Sequence, residues 1–254
     1  MKALILSLAA LMPSASFAQD VFVLGEVHDN PRHHAVQAER VMDAAPKALV
    51  FEMLTETQAE AANAASREDE ARLAEAVNWA DSGWPDFGMY YPIFAAAPEA
   101  AIYGGGLPRE AARAAMDQGI ADWFGDGAEE YGLTAPLPEE MQEAREALQM
   151  AAHCDALPES MLPIMVDIQR LRDAVLARAV VTALEDTGGP VAVITGNGHA
   201  RRDWGVPAYL ERVAPNLEVF VLGQTEEDNP LEGGFDEIVS APAVEREDPC
   251  AAFQ

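Results

Sequence analysis

Five short apolar runs punctuate the chain: "VFVLG" (21–25), "ALVFEM" (48–53), "AAIYGG" (100–105), "VAVITG" (191–196) and "EVFVLG" (218–223). Each is β-branched or aromatic and ends in glycine or a charged residue, the pattern of a strand buried on both faces. Helical patterns lie between them. Asn30 followed by Pro31 predicts an N-cap and a first helical residue, and so a helix from Pro31 to about Ala45. The alanine-rich "ETQAEAANAASREDEARLAEAVN" predicts another helix. This alternation predicts an α/β fold: a mostly parallel sheet flanked by helices. From "GGGLPRE" to "VAVITG" the strand signal disappears, which predicts a helical insertion before the fourth strand. The core would then be 19–108 and 188–254, with 109–187 as a helical subdomain. The tail "FDEIVSAPAVEREDPC" offers one last edge strand followed by irregular chain.

The first residues belong to a different kind of segment. "MKALILSLAALMPSASFAQD" carries one cation at Lys2, a short apolar stretch, then Ser16 and Ala18. That pattern predicts a signal peptide, residues 1–18, cleaved near Ala18. Its apolar stretch is too short to span a bilayer, and no cysteine lies near the cut to carry a lipid. The expected product is periplasmic or secreted, with no membrane span. With 16 Lys and Arg against 43 Asp and Glu, the chain has a formal net charge of −27. Such a surface repels phosphate backbones and anionic head groups, which excludes nucleic acid and membrane surfaces as partners. Cys154 and Cys250 are the two cysteines. In an oxidising compartment they are expected to pair, and their spacing does not suit a metal site.

In an open parallel sheet, ligands bind beyond the carboxyl ends of the strands. Glu26 and His28 follow the first strand, Glu52 ends the second, and Arg109 follows the third. Asn197 and His199 follow the fourth. Two of these loops share the form G-x-x-H, "GEVH" (25–28) and "GNGH" (196–199). Imidazole beside carboxylate suits either a divalent metal or general acid–base work. Glu26, His28, Glu52 and His199 are therefore the candidate divalent-metal or catalytic set, with zinc, manganese or cobalt as the candidate ion. Glu52 stands out because a carboxylate closing an apolar strand is costly to bury alone. His34 shares a helical stripe with Ala38, Val41 and Ala45 and should face the sheet. His33, rotated by about 100°, is expected to be exposed.

Aromatic residues crowd into "WADSGWPDFGMYYPIF" (79–94). One reading is a hydrophobic plug. The other is a flat ligand wall with a phenol able to bind ferric iron, as tyrosine does in some haem proteins. Arg32, Arg109, Arg113, Arg201 and Arg202 lie in or just after the rim loops and would form a local positive spot able to hold carboxylates. Absent motifs exclude other chemistries. There is no G-x-x-x-x-G-K-[ST] and no G-x-G-x-x-G after the first strand, which disfavours nucleotides. The lack of G-x-S-x-G disfavours a serine hydrolase, and the lack of C-x-x-C-H excludes covalent haem attachment.

"VLGEVHDNPRHHAVQ", "LVFEML", "WPDFGMYYPIF", "GGGLPRE", "HCDALP", "DIQRLRDAVLA" and "VITGNGHARRDWGVPAYL" follow one another in an order that resembles the ChaN-like haem-binding, iron-linked proteins. Those belong to a superfamily shared with Tiki, TraB and the erythromycin esterases. The resemblance implies a parallel-sheet core with a helical subdomain and a role in haem or iron uptake or handling. It also implies a non-covalent haem pocket that a homodimer could complete, with a tyrosine on the iron. Here Tyr90 or Tyr91 would take that role, Tyr90 in preference, with His34, Arg109 and Arg201 as further haem-contacting candidates. Characterised relatives are often lipoproteins, whereas no lipid-bearing cysteine is expected here. Tiki-type members of the same superfamily resemble metal-dependent proteases, so a metal-dependent hydrolase using the two G-x-x-H loops is the alternative expectation.

Overall fold

A computed structural model describes residues 19–248, 250 and 251; the expected signal peptide, residues 1–18, lies outside them. Six strands form one sheet: β1 (Val21–Glu26), β2 (Ala48–Phe51), β3 (Ala101–Gly104), β4 (Val191–Gly196), β5 (Val219–Glu226) and β6 (Glu237–Ala241). Their order is β3-β2-β4-β1-β5-β6, and every pairing is parallel. Strands β2 and β4 are buried along their whole length, because helices cover both faces of the sheet.

The alternation of side chains across the sheet divides the core in two. Val21, Val23, Ala48, Val50, Val191, Val193 and Val221 point to one face. There they meet helices α5 (Arg109–Gln118), α6 (Ile120–Phe124), α8 (Leu162–Thr187) and α10 (Val206–Val213). Leu24, Leu49, Phe51, Ala192, Ile194 and Leu222 point to the other. That face is covered by α1 (Pro31–Ala44), α2 (Glu56–Ala64), α3 (Glu70–Ala76) and α4 (Phe87–Ala96). Phe51 stacks on Phe94 at 4.4 Å between ring centroids, an aromatic pair that adds to simple area burial.

Helix α1 begins where the sequence predicts: Asn30 accepts from the Arg32 N–H at 3.0 Å and Pro31 opens the helix. The alanine-rich stretch, expected as one helix, is two. Asp69 accepts from the Arg72 N–H and starts α3 afresh, while Arg67 reaches the Ala97 and Pro98 carbonyls and pins the intervening loop. Between β3 and β4 the regular structure of the described residues is helical: α5, α6, α7 (Glu139–Ala152) and α8, with irregular chain between α6 and α7. Helix α8 joins the sheet's own core through Leu171, Ala174, Leu176, Ala177 and Val180. A four-residue helix, α9 (Asn197–Ala200), follows β4 directly.

The end of the chain runs back over the sheet's carboxyl edge. Asn30 donates to the Pro242 carbonyl, and Arg246 spans Asp29 and Glu226 with paired bonds of 2.6–2.7 Å. A disulfide then joins Cys250 to Cys154, just beyond α7 and 96 residues away in sequence. Closing a loop of that length removes much denatured-state entropy. The Cys154→Ser/Cys250→Ser double variant is expected to unfold at lower urea than the oxidised protein, with up to about 4–5 kcal/mol lost in the chain-entropy limit. Paired denaturation curves of the two proteins measure the loss.

Candidate functional site

The site follows from strand register. β1 pairs with β4 so that Glu26 lies opposite Gly196, and β2 pairs with β4 so that Phe51 lies opposite Ile194. Parallel strands end at one edge, so Glu26, Glu52 and the second G-x-x-H loop arrive together. Helix α1 leaves β1 toward one face and α9–α10 leave β4 toward the other, which opens a crevice between their loops. That is where ligands settle in open α/β sheets. Glycine permits the close packing. A Cβ on Gly196 would lie 2.8 Å from Nε2 of His28, and one on Gly25 would lie 2.8 Å from the Leu222 carbonyl oxygen.

Two carboxylates organise the crevice, Glu26 buried and Glu52 partly buried. Oε1 of Glu26 accepts from the Tyr90 hydroxyl at 2.9 Å and from Nδ1 of His28 at 2.8 Å. Its Oε2 lies 3.2 Å from Nδ1 of His34, too poorly aligned for a normal hydrogen bond. Nε2 of His34 donates to the His28 carbonyl at 2.7 Å, which fixes the turn of the first G-x-x-H loop. Oε2 of Glu52 accepts from the Thr195 hydroxyl at 2.6 Å and from the Gly196 N–H at 2.8 Å. Oε1 of Glu52 sits 3.5 Å from Nε2 of His199 and 4.0 Å from Nε2 of His28. Nδ1 of His199 is bonded to Asp173 at 2.6 Å. Carboxylates and imidazoles therefore alternate across the strand ends from Tyr90 to Asp173.

Charge follows from this alternation. Burial would raise the carboxyl of Glu26, but His28 and His34 hold it below its ordinary value. Burial acts on Glu52 in the same sense and is outweighed by His199, His28 and the Thr195 and Gly196 bonds. For His28, His34 and His199 burial opposes the charge, yet the facing carboxylates win, whereas burial lowers His33. His28 and His34 are raised, and His199, between Glu52 and Asp173, is pushed up to about 9. Burial raises the carboxyl of Asp173 despite its imidazole partner. Burial and the Glu26 charge both push the Tyr90 phenol far up, so it stays protonated.

Two clefts flank this row and share His199. The first, of about 340 Å³, is lined by Glu52, Met53, Trp84, Arg109, Arg172 and Leu176 among others. The second, of about 400 Å³, includes His28, Leu148, Val166, Asp173 and Trp204. His28 packs against Trp84 at 4.9 Å between ring centroids, so it stands between the two.

The structure brings Glu26, His28, Glu52, His199 and His34 together and places Arg109 at the first cleft. Other expected residues lie elsewhere. Tyr90 is fully buried among Trp79, Ile93 and Phe94, so this part of the aromatic stretch is a plug and only Trp84 reaches a cleft. The Tyr91 hydroxyl donates to the Arg67 carbonyl. Arg201 is held by both oxygens of Asp203 and stacks over Trp204. His33, expected on the surface, is buried: Nδ1 accepts from the Val27 N–H and Nε2 donates to the Thr225 carbonyl. The reason is that the first turn of α1 is enclosed on both sides, by the loops after β1 and by β5. Among the described residues, no three His, Cys, Asp or Glu side chains are arranged to hold a metal ion.

Asp173 was not legible as a site residue from motif spacing. Its signal was a charge on the apolar stripe of α8 formed by Val166, Ala177 and Val180. Arg172, beside it, faces the first cleft.

The haem-binding uptake family described as "Tiki superfamily, ChaN" matches residues 14–210. No curated protein matches the chain. Among solved structures, ChaN of Campylobacter jejuni, described with cofacial haem binding, shares 19% identity over 84% of each chain with a TM-score of 0.63. The type III effector HopBA1 shares 11% identity over 88% of each chain with a TM-score of 0.47, too loose a likeness to argue from. The Campylobacter structure supports the fold, and the match over residues 14–210 shows that the chain belongs to the ChaN-type haem-binding uptake family of the Tiki superfamily.

Proposed function

We propose that the protein is exported and binds haem non-covalently in the paired clefts beyond the strand ends, in haem or iron uptake or handling. The observation that carries this reading is the first cleft. Its wall is apolar, from Met53, Leu107, Leu176 and Trp84, and two arginines stand at it, Arg109 and Arg172. In a chain with 43 acidic and 16 basic residues, two guanidiniums beside an apolar slot suit a planar, apolar ligand that carries carboxylates. Haem is such a group, and when bound it would supply an iron centre able to take a ligand from the protein. The imidazoles between the clefts are donors chemically suited to it.

Other features support parts of the reading. The Cys154–Cys250 disulfide suits an oxidising compartment, in line with the signal peptide expected at residues 1–18. Ligand pockets run from about 300 to 1,000 Å³, and each cleft lies near the low end of that range. A second copy of the chain closing over the clefts would take the rest of a porphyrin out of water. The hydrolytic alternative is not favoured. The family model that the chain matches is described by haem-binding uptake, not by hydrolysis.

Titration of the purified protein with ferric haem is expected to give a saturable Soret shift. The Arg109→Ala/Arg172→Ala variant should bind about 10–100-fold more weakly, the effect of losing one charged hydrogen-bonding partner or more. Equal affinity in the two proteins would remove the carboxylate role of the arginines.

His199 gives a pH test of the same site. Its folded-state pKa of about 9 is above the ordinary value of 6.5, so the imidazolium persists at neutral pH. The stability this contributes is fully present below pH 6.5 and is lost as pH rises through about 9. NMR titration of the ring should place its midpoint near 9, and Asp173→Asn should bring it down toward the ordinary value.

A further inference from the structure

We propose that the iron-ligating group of this protein is Nε2 of His28, with Glu26 and Tyr90 as positioning residues behind it. The assignment rests on the haem reading above and deepens it.

The tyrosines are turned away from the clefts. Tyr90 gives its hydroxyl to Glu26, Tyr91 to the Arg67 carbonyl and Tyr103 to Asp186. Tyr131 and Tyr209 are buried in the core on the α8 face. None of the five lines either cleft beside the carboxylate–imidazole row. A phenol reaches ferric iron as the phenolate, and Tyr90 is placed to remain a hydrogen-bond donor.

The histidines differ sharply in what they can offer. Both ring nitrogens of His33 are bonded inside the protein. His34 is 1% exposed, with Nε2 bonded to the His28 carbonyl and Nδ1 facing Glu26. His153 bonds the Gln149 carbonyl at the end of α7. Nε2 of His199 faces Glu52 on a side chain only 11% exposed. The His28 side chain is 35% exposed and lines the second cleft, and its Nε2, 4.0 Å from Oε1 of Glu52, has no hydrogen-bond partner among the described residues.

Its other nitrogen is already committed. Nδ1–H donates to Glu26, and metal-ligating histidines almost always donate the second N–H to a carboxylate or carbonyl in this way. In the neutral ring that bond leaves the lone pair on Nε2. Glu26 is held in turn by the Tyr90 hydroxyl, and the ring is steadied against Trp84 and over the side-chain-free Gly196. Proximal histidine is a common haem ligand. Coordination uses the Nε2 lone pair, and any proton on that atom leaves to solvent.

The test is ferric haem binding by the full mature chain, read by absorption, electron paramagnetic resonance and, after reduction, resonance Raman. The wild type is expected to show histidine ligation, with an iron–nitrogen stretch that moves when the histidines are labelled with nitrogen-15. His28→Gly should lose that signature and bind at least about tenfold more weakly. Added imidazole should restore the spectrum, which also shows that the variant is folded. Tyr90→Phe should keep histidine ligation and only shift the stretch, because it loosens Glu26. A phenolate charge-transfer band in the wild type, or a spectrum unchanged in His28→Gly, overturns the assignment while leaving haem binding intact. No saturable binding by the wild type removes the haem reading and the assignment with it.

Discussion

A carboxylate with no exposed side-chain surface sits at the end of the central strand β1, and much of the rim is arranged around it. Leaving Glu26 charged and unpartnered there would cost several kcal/mol, so the surrounding elements must supply donors. His28 from the loop after β1 and Tyr90 from α4 donate to it, and the His34 ring, from the first turn of α1, faces its other oxygen at 3.2 Å. Each partner constrains its own element. His34 fixes the first G-x-x-H loop through the His28 carbonyl, and Tyr90 ties α4 to the end of β1. Glu52 repeats the arrangement one strand beyond β4, with Thr195, Gly196 and His199 as its neighbours. The site is thus less a pocket to which charges were added than a solution to burying two carboxylates side by side.

Much of the fold was legible from short-range patterns. β4 spans the residues of its apolar run, and α1 starts at the cap that Asn30 and Pro31 signal. Buried parallel strands announce themselves because both of their faces must be apolar. Where the apolar run and the ladder differ, polar chemistry explains it. β2 ends at Phe51 rather than Glu52, whose side chain turns toward Thr195 and Gly196 while its N–H still bonds the Ile194 carbonyl. The helix break at Asp69 was hidden because alanine-rich sequence reads as helix throughout, and a single side-chain cap decides where one helix stops and another starts.

The site was legible in part, for a related reason. Glu26, His28, Glu52 and His199 meet because residues just past parallel strands share an edge, a consequence of topology that needs no knowledge of packing. Depth was not legible. Tyr90 and Tyr91 are neighbours in sequence, yet one enters the core and the other bonds a backbone carbonyl of the α2–α3 loop. His33 and His34 lie on different sides of α1 and are both buried, because the first helical turn is enclosed on each side. Asp173 comes from a helix more than a hundred residues from either glutamate, and only the three-dimensional crossing of α8 brings it to His199.

These depths bear on what the site can do. A phenol that donates to a carboxylate and an imidazole that donates to the same oxygen are coupled: strengthening one bond weakens the other. Tyr90 therefore sets how much negative charge Glu26 can share with His28, even though it touches neither cleft. The second half of the row lacks such a phenol. There Asp173 alone holds Nδ1 of His199, and Glu52 faces its Nε2. One histidine is left with a free nitrogen at a cleft and the other is enclosed between carboxylates as a cation. Two loops of the same G-x-x-H form thus arrive at different settings, one imidazole partly exposed at a cleft and the other enclosed between carboxylates, separated by one carboxylate. An anionic ligand that also carries an electron-poor centre meets both requirements of such an edge at once.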